Sequence, residues 1–206
     1  MSKSVLYEQD KRIVKITLNR PDTRNALSGD IIEELVEYLN KADKDKNVGC
    51  IILTGAGKSF SSGGNLQEIK DMTTKDNMSL SELENWYRFG IQKIPRTMNS
   101  IDVPIVAAVN GHAIGAGNDL CTMCDIRIAG EDAKFSESFL RIGIIPGDGG
   151  SWFLPKIIGL ARANEMILTC DVLDANKALN WGLVSKIVPN ENLIVEAQQL
   201  ANKIAA

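Results

Sequence analysis

Apolar positions change period several times along this 206-residue chain. Ile13, Lys15 and Thr17 alternate with Val14, Ile16 and Leu18, so Lys11 to Leu18 predicts a strand, paired as a hairpin with Val5 to Glu8. Asn19 to Thr23 reads as a turn. The period then becomes helical through Ile31, Ile32, Leu35, Val36 and Leu39. Ser28 is the expected cap, and Asp30 lies in the first turn, where negative charge is favoured. Cys50 to Thr54 is a short apolar run, consistent with a buried strand.

A loop dense in glycine and serine, Gly55 to Leu66, leads into a short helix near Leu66 to Met72, followed by a polar insert at Thr73 to Asn77. Ser81 is the expected cap of a helix through Leu83, Trp86, Phe89 and Ile94. Pro104 to Val109 predicts a strand running into Gly111, Gly115 and Gly117, then a helix over 117–124. Further strands are expected at Ile126 to Ala129, Lys134 to Ser136 and Val184 to Val188, and helices at Ala161 to Thr169, Ala175 to Trp181 and Asn192 to Ile204. Gly143 to Gly150 is a second glycine turn, leading into Trp152, Phe153 and Leu154.

The order of strands and helices predicts an α/β fold, with sheets covered by helices. A hairpin among crossover units argues against a purely parallel Rossmann sheet. Neither glycine loop has the G-x-G-x-x-G or G-K-[ST] form of dinucleotide or triphosphate sites. Each loop nevertheless follows an apolar strand and precedes a helix. On adjacent strands they would bring two sets of free backbone N–H groups to one sheet edge. Gly64 and Ala116 are the candidate donors of an oxyanion hole, with Asp119 as the nearby acid. The alternative is that the glycines serve tight turns and close packing alone.

Composition narrows the partners. Lys and Arg number 23 and Asp and Glu 26, a net charge of -3, with no basic stripe of the kind nucleic acids require. The first residues have no signal-peptide core, and no apolar run reaches the length of a membrane span. Four cysteines, Cys50, Cys121, Cys124 and Cys170, then fit a reducing compartment such as the cytoplasm as small core residues. The C-x-x-C spacing at Cys121 falls within a predicted helix, with no strand leading into it, which favours packing over redox chemistry. A single histidine, His112, leaves no multi-histidine metal site, and a packed or hydrogen-bonded role is expected for it.

Asn25-Ala-Leu, Phe60-Ser-Ser-Gly-Gly-Asn-Leu66, and Pro104-Ile-Val-Ala-Ala-Val-Asn-Gly-His-Ala-Ile-Gly-Ala-Gly-Asn-Asp-Leu120 together resemble the crotonase, or enoyl-CoA hydratase/isomerase, family. The likeness continues through Met123 to Gly130, Gly143 to Gly150 and Ala178 to Val184, covering nearly the whole chain. The resemblance implies a crotonase-like spiral of ββα units over 1–190, a helical C-terminal region starting at 191 that looks shortened, and assembly as a homotrimer or pair of trimers. It implies an acyl-CoA substrate and no permanently bound cofactor or metal, coenzyme A arriving as part of the thioester. Gly64 and Ala116 would hold the thioester oxygen. Ser62 would touch coenzyme A, and Arg24 its phosphates, a solvated turn residue being the alternative for Arg24.

The same resemblance exposes a departure. Hydratases of the family carry two glutamates, which activate water and deliver a proton. Their positions fall on Asp119 and Phe139, and phenylalanine moves no proton. Glu137 and Asp148 are the candidate replacements; the alternatives are exposure or an ion pair for Glu137, and turn stabilisation for Asp148. Phe139 and Trp152 are expected to shape the acyl pocket. One effective carboxylate suits double-bond isomerisation better than hydration. Hydrolysis of a cyclic or β-keto acyl-CoA, and acyl-CoA binding without catalysis, are the other readings.

Overall fold

The computed structural model describes residues 3–74 and 78–206, so part of the polar insert at Thr73 to Asn77 lies outside the described residues. The strands are β1 (Val5–Asp10), β2 (Ile13–Leu18), β3 (Cys50–Gly55), β4 (Ser59–Ser61), β5 (Ile105–Val109), β6 (His112–Ile114), β7 (Ile126–Gly130), β8 (Lys134–Ser136), β9 (Leu173–Asp174) and β10 (Lys186–Val188). The helices are α1 (Gly29–Lys44), α2 (Leu66–Thr74), α3 (Leu80–Phe89), α4 (Lys93–Ser100), α5 (Ala116–Met123), α6 (Gly150–Ile158), α7 (Leu160–Thr169), α8 (Ala175–Trp181) and α9 (Leu193–Ile204).

Two sheets result. The larger has the order β1-β2-β3-β5-β7-β10, and the smaller β4-β6-β8-β9. The β1–β2 hairpin is antiparallel, whereas β2, β3, β5, β7 and β10 run parallel. Successive pairs β3–β4, β5–β6 and β7–β8 each place their first strand in the large sheet and their second in the small one. The chain therefore advances as a spiral of ββα turns, the α/β architecture that the motifs implied.

Period-two alternation explains the layering. Ile13, Cys50, Ile52, Val106 and Ala108 face α9, packing against its Leu193, Ala197 and Ala201. Their neighbours Val14, Ile16, Ile51, Leu53, Ile105 and Ala107 enter the main core with Leu35 and Leu39 of α1 and Leu120 of α5. Small residues every fourth position on α9 let it lie close to the sheet. At the position 49 backbone a Cβ would come within 2.7 Å of Ala205.

Several local expectations are corrected. Ser28 does sit at the start of α1, but its hydroxyl donates to Asp30 instead of capping the helix. Ser79, not Ser81, caps α3: its hydroxyl accepts from the Glu82 N–H while the Glu82 carboxylate accepts from the Ser79 N–H. The expected single helix through Ile94 breaks at Gly90 into α3 and α4. The segment after Gly150 is a helix and the stretch 112–114 a strand, both unmarked by local pattern. All four cysteines are free and buried. Among the described residues no helix is long and apolar enough to cross a membrane, and no group of three or more His, Cys, Asp or Glu is placed to hold a metal ion.

Candidate active site

The two glycine loops meet. β3 lies beside β5 and β4 beside β6, so the loops after them end at the same edge. Gly63, at φ 91°, approaches the second loop so closely that a Cβ there would stand 2.5 Å from the Ile114 carbonyl oxygen and 3.3 Å from the Ala116 nitrogen. Gly64 and Ala116 both line one cavity of about 260 Å³. Among the described residues neither N–H donates to a backbone carbonyl. Ala116 is the first residue of α5, where the N–H has no partner within the helix. Among the described residues, then, two backbone N–H groups without a carbonyl partner belong to residues lining one cavity.

Asn25 organises the first loop. It is fully buried, donates its side-chain amide to the carbonyls of Ala56 and Ser59, and accepts from the Arg20 N–H at 2.9 Å. Its own carbonyl accepts from the Ser61 hydroxyl. Arg24 takes the left-handed conformation at φ 56°, and its carbonyl accepts from the Ser62 N–H at 2.9 Å. The exposed Arg24 and the cavity-lining Ser62 therefore occupy one rim.

The three acidic candidates are brought together, but they are not equivalent. Asp119, Glu137 and Asp148 are all buried. Asp148 lines the cavity, whereas Asp119 and Glu137 do not. The Glu137 Oε1 accepts from the Asn118 side-chain amide at 2.6 Å. It is buried, and among the described residues it has no ion-pair partner. Among the described residues no side chain donates to either Asp119 oxygen or to the Glu137 Oε2, apart from what a shared proton supplies, and only the Gly150 backbone reaches Asp119. Two neighbouring carboxylates in such a place favour holding one proton between them. Burial, followed by the charge of Glu137, pushes the Asp119 carboxyl well above its ordinary range. Burial pushes Glu137 up to about 7, against the pull of its hydrogen-bond partners.

Asp148 accepts a hydrogen bond from the Tyr87 hydroxyl. Burial raises its carboxyl to about 6, while the Tyr87 donor opposes the rise. No hydrogen bond ties its side chain to its own turn among the described residues, so turn stabilisation is not what this carboxylate does. Asp119, expected to face substrate, is tucked against the Gly150 backbone instead, because position 150 has no Cβ to exclude it.

Phe139 is buried and lines the cavity with Ile114 and Ile144. Trp152 does not. It is 61% exposed, with the Lys156 ammonium 3.5 Å from its ring centroid, because α6 turns that face outward. His112 is likewise exposed on β6 and outside the cavity, so the packed role expected for it is not the one it has. Two residues went unnoticed in the sequence. Asn118 sits beside Asp119, a polar pair in an otherwise buried helix, which was a usable signal. Tyr87 carried none, since the Leu83, Trp86, Phe89 stripe pointed elsewhere.

An α/β spiral of ββα turns, with a cavity lined by Gly64, Ala116 and the buried Asp148, is the fold class of the crotonase enzymes. The family model for enoyl-CoA hydratase/isomerase matches residues 8–206. The chain is 37% identical over 202 residues to a probable enoyl-CoA hydratase of Mycobacterium tuberculosis, covering 98% of this chain and 75% of that one. It is 41% identical over 199 residues to a probable mitochondrial enoyl-CoA hydratase of Dictyostelium discoideum, covering 97% and 69%. An enoyl-CoA hydratase subunit from Geobacillus kaustophilus superposes with a TM-score of 0.89 at 32% identity, covering 99% and 77%. An enoyl-CoA hydratase from Bacillus anthracis does so at 0.87 and 36%, covering 98% and 76%. The chain belongs to the crotonase, or enoyl-CoA hydratase/isomerase, family and is an enzyme of that family acting on acyl-CoA.

Proposed function

We propose that this enzyme is an enoyl-CoA isomerase in which Asp148 carries one proton between two carbons of an acyl thioester. The observation that carries the reading is that, of the three acids Asp119, Glu137 and Asp148, Asp148 alone lines the cavity, while Phe139 fills a neighbouring part of that wall and cannot act as a second acid. The other lining carboxylate, Glu68 of α2, accepts from the Asn65 side-chain amide at 2.8 Å. Hydration needs two proton-handling groups at the substrate, whereas isomerisation needs one.

The thioester carbonyl of a 3-enoyl-CoA accepts hydrogen bonds from the Gly64 and Ala116 N–H groups. Asp148, as carboxylate, removes a proton from C2. The electron pair passes into a dienolate whose negative oxygen lies between those two donors, each worth about 3 kcal/mol in such a role. Protonated Asp148 then returns the proton to C4, giving the 2-enoyl-CoA and restoring the carboxylate. A carboxyl raised to about 6 suits both halves, being ionised near neutrality yet basic enough to take the proton. Ser62 and Arg24 on the rim support placing the coenzyme A portion there. Exposed Trp152, Leu160 and Leu168 support an assembly of several copies, a trimer or pair of trimers.

The test is a rate comparison on 3-enoyl-CoA and 2-enoyl-CoA. Isomerisation is expected in the native enzyme and to fall about 10²–10⁴-fold in Asp148→Asn. Faster 3-hydroxyacyl-CoA formation than isomerisation would sink the reading. Release of free thiol would instead support hydrolysis, and binding without turnover a non-catalytic role.

A further inference from the structure

Asp148 has one hydrogen-bond donor among the described residues, the Tyr87 hydroxyl of α3. That donor is held in place from two directions. The Tyr87 ring lies over Gly147, where a Cβ would stand 3.2 Å from its hydroxyl and 3.3 Å from its ring. Just beyond α3, the Gln92 side-chain amide donates to the Gly147 carbonyl at 3.0 Å. α3 has no fully buried residue, Tyr87 itself being half-buried, so these ties fasten its end to the turn that carries the carboxylate. Tyr87 also lines the cavity beside Asp148.

Resting on the isomerase reading above, we propose that Tyr87 is a positioning residue that holds Asp148 toward the cavity and favours its ionised, proton-accepting form. The groups facing Asp148 make such a donor necessary. The Asp148 charge in turn raises the carboxyls of Asp119 from α5 and Glu137 from the segment after β8, so an ionised Asp148 has acids for neighbours. Glu68 of α2 and Arg141 of the 3₁₀ turn after Glu137 line the same cavity. Burial and the Asp148 charge keep the Tyr87 phenol protonated far above the ordinary tyrosine range, so it donates and does not compete as a base. A hydrogen bond to an ionised carboxylate opposes the burial that would otherwise neutralise it.

The experiment is Tyr87→Phe. kcat is expected to fall about tenfold with KM nearly unchanged, and the acidic limb of the kcat/KM profile to move up by about one pH unit. A residue that merely packs would not move that limb. Carbon-13 NMR of aspartate-labelled protein reads the same effect without turnover, the Asp148 carboxyl signal being identified by its loss in Asp148→Asn. That signal is expected to titrate about one pH unit higher in Tyr87→Phe. Gly147→Ala, which pushes the ring away while leaving Tyr87 in the chain, is expected to do likewise. An Asp148 titration unmoved in both variants overturns the proposal. If Asp148→Asn keeps full isomerisation, the isomerase reading falls. The role of Tyr87 as a hold on the Asp148 carboxyl is still decided by the NMR titration.

Discussion

The Asp119 carboxylate rests on the backbone of Gly150, so closely that a Cβ at position 150 would lie 2.1 Å from Oδ1. Both residues are buried, and α6 begins at this contact. The pairing locks the start of α6 to α5 and draws the acid away from the cavity. It also explains why the acid marked out by the glycine run is not the one on the cavity wall.

Gly150→Ala should therefore destabilise the fold by about 2–4 kcal/mol, since neither the backbone nor a buried carboxylate has room to retreat. Urea denaturation measures it. Asp119→Ala in the same background should recover part of the loss. A Gly150→Ala variant as stable as the parent would show that this contact is not tight.

Glu137→Gln should make the protein more stable at pH 8 and change it little at pH 4. The folded-state value of Glu137 lies at about 7, above its ordinary 4.5. Such a group stabilises the fold fully below its unfolded value, and that contribution disappears as pH rises through about 7. Glutamine keeps the acceptor for Asn118 and offers Asp119 a donor without adding charge. The expected gain at pH 8 is about 1–3 kcal/mol, checked by thermal unfolding at both pH values. A larger gain at pH 4 than at pH 8 would contradict a shared-proton pair.

Phe139→Glu should shift the reaction toward hydration. It replaces the apolar ring at that part of the cavity wall with a proton-handling carboxyl that can work with Asp148, the arrangement that adding water across a double bond requires. The ratio of 3-hydroxyacyl-CoA to isomerised product from one 3-enoyl-CoA is expected to rise at least tenfold, while stability drops by a few kcal/mol because the new group is buried. An unchanged ratio in a folded variant would mean that Phe139 does not decide the reaction.

Much of the fold was legible because its signals are local. Alternation marked β2, and unbroken apolar runs marked β3 and β5, whose two faces both meet apolar layers in the fold. The helical period of α1 and α9 was equally plain. What failed locally was what tertiary packing supplies. β6 is three residues long, too short to carry a period, and exists because β4 and β8 flank it. The orientation of α3 could not be read from its apolar stripe, as its Phe89 faces solvent while Tyr87 reaches inward. Trp152 looked like a pocket residue by its neighbours in sequence, yet a helix starting at Gly150 turns it out.

By itself the sequence determined the α/β class, the two glycine loops and the acid Asp119 beside one of them, because strand period, glycine spacing and residue type are properties of short segments; the spiral and the candidates Glu137 and Asp148 followed from the resemblance to the crotonase family. Only the tertiary structure decided which carboxylate faces the cavity. That choice depends on one missing Cβ at position 150, on a tyrosine 61 residues away from Asp148, and on the cost of burying a charge without a donor. Such terms exist only where distant parts of the chain touch.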